Sequence, residues 1–181
     1  MIEYEEGGAL SDVLEAHVLL AEDKARLIAE QLLLTVDFMA RMGIVHRDLK
    51  PENILLNSKN PGVYDIRIAD FGFAHDLEND DQMNKLLVCG TPGYVAPEAI
   101  CGQGLSLKTD IFSVGGILFN ILTLKNLFQA TSQKEMIQMN KECSWNSLEY
   151  RLKGCSPHAR DLVIRLLSKD PSCRPSAKQA L

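Results

Sequence analysis

Between Ser106 and Leu124 the chain carries Ile111, Phe112, Val114, Ile117, Leu118, Phe119, Ile121, Leu122 and Leu124. Wound at helical pitch, these residues cover nearly the whole circumference. The segment therefore predicts a helix buried on all sides, not one with a single apolar stripe, and other elements must pack around it. Gly115 and Gly116 each cost about 1 kcal/mol of helix propensity against alanine, so close packing of another backbone is expected there. Asp110, at the helix start, suits the positive end of the helix dipole. The apolar run from Ile111 to Leu124 is interrupted by Gly115, Gly116, Asn120 and Thr123. It falls short of the ~18 apolar residues of a membrane span, and no membrane partner is expected.

Further helices are predicted around this one. From Ala21 to Met42, Ala25, Ile28, Leu32, Val36 and Met39 recur at steps of three and four residues, with Glu22 and Asp23 in the first turn and Gly43 placed to end it. Thr131 to Asn140 is polar and helix-prone, Trp145 and its neighbours read as a connector, and Ser156-Pro157 caps a helix bearing Leu162, Val163, Leu166 and Leu167. Ser176 to Leu181 reads as the first turns of one more. In all, 181 residues with 46% hydrophobic and 24% charged side chains suit one globular domain, mainly α. A formal charge of -5 gives no general pull toward nucleic acid, and no nucleic-acid partner is expected. Five scattered cysteines, none in a C-x-x-C pair, suit reduced thiols in a cytoplasmic, intracellular setting.

The chemistry concentrates in His46-Arg47-Asp48-Leu49-Lys50-Pro51-Glu52-Asn53. Phosphoryl transfer needs a carboxylate for the hydroxyl proton, a cation on the transferred group, and oxygen ligands for magnesium. Asp48, Lys50 and Asn53 offer these in order. Next, Ile54-Leu55-Leu56 and Ile66-Arg67-Ile68, separated by the turn signal Asn60-Pro61-Gly62, predict a hairpin. Pairing those strands returns Asp70, of Asp70-Phe71-Gly72, to the neighbourhood of Asn53. Gly90-Thr91-Pro92-Gly93-Tyr94 and Ala96-Pro97-Glu98 follow.

With these three motifs in this order, the chain resembles the large, C-terminal lobe of a eukaryotic-type protein kinase, of the serine/threonine, calcium/calmodulin-dependent-kinase-like branch. The resemblance runs over residues 1–181, from the hinge to the start of the last helix. It implies a helical bundle around a central buried helix, with a short β-hairpin at the active cleft. ATP and Mg2+ are the implied cofactors, and a protein serine or threonine hydroxyl is the implied substrate. Asp48, Lys50, Arg47 and Thr91 take the family's catalytic positions. Glu3, Glu5, Glu52, Asn53, Leu55 and Asp70 take its nucleotide positions, Asn53 and Asp70 being the metal ligands. His46, Phe71, Gly72, Glu98, Asp110 and Arg174 take structural ones: His46 beneath Phe71, Asp110 on the backbone of the catalytic loop, Arg174 paired with Glu98.

Two departures matter. Ala9 stands where relatives often carry an acid for the ribose, so that contact is expected to be missing. Arg47 beside the catalytic aspartate usually accompanies a phosphorylated loop, yet the only hydroxyl residues between Asp70 and Glu98 are Thr91 and Tyr94. The acids Asp76, Glu78, Asp80 and Asp81 offer a substitute, Asp80 or Asp81 being expected to pair with Arg47. The resemblance places the family's glycine-rich phosphate loop, strand lysine and helix glutamate ahead of Met1, and a missing small lobe is the expectation. Two readings follow: a catalytic lobe completed by a small lobe, in trans if need be, or a non-catalytic lobe that binds kinase partners.

Overall fold

A computed structural model of the chain describes residues 5–58, 60, 63–78, 89–144 and 148–181. Glu3, Pro61-Gly62, Asp80, Asp81 and Trp145 fall outside them.

Among the described residues the body is helical and is organised on α4 (Thr109–Thr123), whose residues from Thr109 to Ile121 are all buried. The helix is shorter than the segment 106–124 because Ser106 folds back on its start: the Ser106 hydroxyl accepts from Lys108 N, and Thr109 Oγ1 accepts from Ser106 N. Leu124 ends it in a left-handed conformation. Helices α2 (Glu22–Arg41) and α7 (Pro157–Leu166) pack on α4. Here one expectation is corrected. The neighbours of Gly115 are the side chains of Leu166 and Leu167, not a second backbone, and those of Gly116 are the Tyr94 ring and, farther off, the Gly93 carbonyl.

The remaining helices close the sides. Helix α3 (Pro97–Ile100) lies against α5 (Gln133–Glu142), α6 (Leu148–Arg151) against α7, and α8 (Ala177–Ala180) against α2. Helix starts follow local chemistry: Ser132, Ser156 and Ser176 each accept an N–H from the first turn of the helix that follows. Gly43, at φ 70°, supplies the left-handed turn after α2.

Two small antiparallel pairs flank this body. Strands β2 (Ile54–Leu56) and β3 (Ile66–Ile68) form the expected hairpin in the register Ile54 to Ile68, while β1 (Ile44–Val45) pairs with β4 (His75–Asp76). Gln31 of α2 fixes the hairpin, donating to Tyr64 O and accepting from Ile66 N. The segment before α1 (Leu10–Glu15) adds an edge to β2 through Gly7 N to Leu56 O and Leu56 N to Gly8 O. A Cβ at Gly7 would lie 2.4 Å from the Leu56 carbonyl oxygen, which is why glycine stands there.

Candidate active site

The loop after β1 hangs from α4. The buried Asp110 carboxylate accepts from His46 N at 2.7 Å and from Arg47 N at 3.0 Å. Burial pushes this carboxyl upward in pKa, and the two N–H donors pull against it. Arg47 sits at φ 73°, a region costly for a side chain with a Cβ, and the two bonds hold it there. Asp110 thus does what the sequence suggested.

His46 is fully buried, and its two ring nitrogens are committed. Nδ1 lies 3.4 Å from the Asp48 N–H and Nε2 lies 3.1 Å from the Ala69 carbonyl oxygen, so the consistent tautomer carries its proton on Nε2. The ring meets Phe71 edge to face, with centroids 4.7 Å apart. It is a bracket between the loop and the segment after β3.

Asp48, Lys50, Asn53 and Thr91 converge. Asp48 is 5% exposed. Its Oδ1 accepts from the Thr91 hydroxyl at 2.7 Å, and its Oδ2 faces Lys50 Nζ at 3.0 Å and Asn53 Nδ2 at 3.3 Å. Lys50 Nζ also donates to Thr91 Oγ1 at 2.9 Å, closing a triangle of ammonium, hydroxyl and carboxylate. Such charge-assisted bonds in a partly desolvated setting hold the Asp48 side chain aimed. A single 3₁₀ turn, Pro51–Asn53, positions Asn53, whose Nδ2 also donates to Asp48 O.

Ladder pairing continues past β3 with Ala69 N donating to Asn53 O, which brings Asp70 to the same end of the hairpin as Asn53. Asp70 is exposed, at φ 60°, and one carboxylate oxygen accepts from Gly72 N. Magnesium prefers hard oxygens and is commonly held by one or two protein ligands plus phosphate. Asn53 fits: its amide N–H2 is spent on Asp48, so Oδ1 is the atom that would hold a cation. Asp70 fits as the carboxylate.

Phe71 and Phe73 are about half exposed beside Asp70. Leu55 and Glu5 are half-buried and Glu52 is exposed; none belongs to the hydrogen-bonded cluster around Asp48 among the described residues. Farther off, Arg174 pairs with Glu98 through two 2.7 Å bonds, with both side chains buried.

Sequence reasoning missed three polar groups. Ser113 Oγ donates to Tyr94 O, Tyr94 OH donates to Asn120 Oδ1, and the fully buried Asn140 bonds both Gly93 N and Val95 O. Asn120 carried a signal, an amide inside an otherwise apolar helix. Asn140, in a polar helix, carried none. Burial, with the nearby Glu52 charge second, pushes the Tyr94 phenol far above its ordinary range.

The fold and this loop define the chain as a protein kinase domain. It belongs to that family, whose protein kinase domain matches residues 1–181. Similar proteins include the serine/threonine-protein kinase unc-51 of Caenorhabditis elegans, 39% identical over 97% of this chain and 21% of that protein. The human phosphorylase b kinase gamma catalytic chain, liver/testis isoform, is 39% identical over 96% of this chain and 43% of its own length. The human serine/threonine-protein kinase ULK1 is 41% identical over 75% of this chain and 13% of its own. The chain therefore spans less than half the length of these relatives. Two of these names carry the serine/threonine type and bear it out, and protein kinases as a family use ATP and magnesium. Among the described residues no helix is long and apolar enough to cross a membrane.

Proposed function

We propose that residues 1–181 form the large lobe of a serine/threonine protein kinase, spanning the hinge to the start of the last helix, and transfer the γ-phosphate of ATP to protein hydroxyls when completed by a small lobe. The observation that carries this is the triangle of Asp48, Thr91 and Lys50, which fixes one carboxylate, one hydroxyl and one ammonium at 2.7–3.0 Å from one another. In this reading a substrate serine or threonine oxygen attacks the γ-phosphorus, the bond from phosphorus to the ADP oxygen breaks, and the hydroxyl proton passes to the Asp48 carboxylate. Lys50 places its charge toward the transferred group, and Thr91 keeps Asp48 from rotating away. Bound magnesium would neutralise phosphate charge, with Asn53 Oδ1 and Asp70 holding it. Glu3, Glu5, Glu52 and Leu55 are the proposed nucleotide contacts.

The test is phosphotransfer by the full-length protein carrying these residues, read by mass spectrometry of mixed peptide substrates. Phosphoserine and phosphothreonine are expected, and Asp48→Asn should lower the rate by roughly 10²–10⁴-fold, the range of general-base contributions. The isolated polypeptide of residues 1–181 should stay near background. Predominant phosphotyrosine, or a rate indifferent to Asp48→Asn, overturns the proposal. No turnover from the full-length protein together with retained binding of a kinase partner would favour the non-catalytic reading.

A further inference from the structure

Asn140 is fully buried near the end of α5, and its amide is spent in two directions. Oδ1 accepts from Gly93 N at 2.7 Å, and Nδ2 donates to Val95 O at 2.8 Å. Only one orientation of the amide satisfies both bonds, and among neutral side chains of this size only an amide offers acceptor and donor side by side. The two backbone groups flank Tyr94, which is held from the opposite side by α4, through Ser113 Oγ to Tyr94 O at 2.9 Å and Tyr94 OH to Asn120 Oδ1 at 3.1 Å. The segment 93–95 is therefore gripped between two helices.

Two residues upstream of Gly93, the Thr91 hydroxyl rests on Asp48. Because a chain advances at most about 3.3–3.6 Å per residue, the residue adjacent to an acceptor hydroxyl seated at Asp48 comes within reach of the segment 91–95, which starts on Asp48 itself. Gly93, at φ 103°, presents no side chain there, and a Cβ would find the Met136 sulfur 3.9 Å away. Met136 lies one helical turn before Asn140, on the same face of α5.

We infer that Asn140 is a positioning residue for substrate recognition: its two hydrogen bonds from α5 set the path of Gly93–Val95, against which the substrate residue next to the phosphoacceptor is read. The inference rests on the kinase reading above. Asn140 touches neither ATP nor the reacting hydroxyl, so its loss acts through the backbone it holds. Asn140→Asp keeps the acceptor for Gly93 N but turns a carboxylate oxygen on the Val95 carbonyl, and Asn140→Leu removes both bonds with the same number of side-chain heavy atoms and the same branching. The α4 grip on Tyr94 survives either change, so the fold is expected to persist while the docking path loses its reference.

The experiment compares the full-length parent with Asn140→Asp, Asn140→Leu and the control Gln138→Ala on peptides varied at the two residues flanking the acceptor. Both Asn140 variants should raise peptide KM by about tenfold or more, keep ATP KM within about twofold, and flatten the preference at a flanking position. The control should match the parent. An unchanged flanking preference, or a loss confined to kcat, overturns the inference. Amide exchange in the 181-residue chain reads the same grip without turnover: Gly93 N–H should exchange about tenfold faster or more in Asn140→Leu, with α2 amides unmoved. Equal exchange at Gly93 overturns the inference even if the parent is active. A parent without phosphotransfer but with faster exchange in the variant counts against the kinase reading and the recognition role, and leaves the grip itself established.

Discussion

Arg174 shows how much one side chain can carry. The residue is 1% exposed, and its five guanidinium N–H groups find Glu98 Oε1 and Oε2 and the carbonyls of Ser168, Lys108 and Lys169. The plane lies over the Phe112 ring, 5.0 Å from its centroid. A planar fork can serve two carboxylate oxygens and three carbonyls at once; an ammonium cannot. Arg174→Lys is therefore expected to destabilise by about 3–5 kcal/mol, the range for breaking a buried pair. At this chain length that lowers the melting temperature by roughly 6–20 °C. A calorimetric shift under about 2 °C would show that the pair contributes little. This contact was legible in the sequence, as were the Asp110 bonds, because each ties a residue to one of the motifs that carry the family resemblance. Asn140 was not legible. Its chemistry depends on two backbone groups some 45 residues away, and an asparagine in a polar helix reads the same whether buried or solvated.

At the scale of elements, the central helix was legible from its apolar circumference alone, since every residue from Thr109 to Ile121 is buried. What it packs against was not. The two adjacent glycines suggested a neighbouring backbone, but the structure separates them. At Gly115 a Cβ would sit 2.9 Å from both Leu166 Cβ and Leu167 Cγ, atoms tied close to the α7 backbone. At Gly116 its nearest neighbour would be the Tyr94 ring at 3.3 Å, which a shift of a few tenths of an ångström relieves. Alanine gains about 1 kcal/mol of helix propensity at either position, and overpacking costs about 1–3 kcal/mol. The clash dominates at Gly115 and the propensity at Gly116. Gly115→Ala should therefore lose up to about 2 kcal/mol in urea unfolding, and Gly116→Ala should be neutral or gain up to about 1 kcal/mol. Equal effects at the two positions would mean that α7 yields as readily as the tyrosine ring.

The whole molecule is a set of attachments to α4. It holds the loop after β1 through Asp110, the segment at Tyr94 through Ser113 and Asn120, and α7 through the leucines at Gly115. Regulation of such an assembly by phosphate needs a free hydroxyl in the segment between Asp70 and Glu98, and the sequence there offers only Thr91 and Tyr94. Both are engaged. Thr91 Oγ1 accepts from Lys50 and donates to Asp48, while Tyr94 OH donates to Asn120 from a phenol whose ionisation burial opposes. A phosphate on Thr91 would set two or so negative charges beside the Asp48 carboxylate, and one on Tyr94 would have to be buried against α4. We therefore expect the kinase activity proposed for the full-length protein to need no phosphate on this segment. The check pairs mass-spectrometric mapping of residues 70–98 with rates measured before and after phosphatase treatment. The map should show no phosphate there, and the two rates should agree within about twofold, a difference of ~0.4 kcal/mol in barrier. A phosphate found on Thr91 or Tyr94 whose removal lowers the rate would overturn this view, and would require the segment at Tyr94 to leave the position in which α4 and α5 hold it.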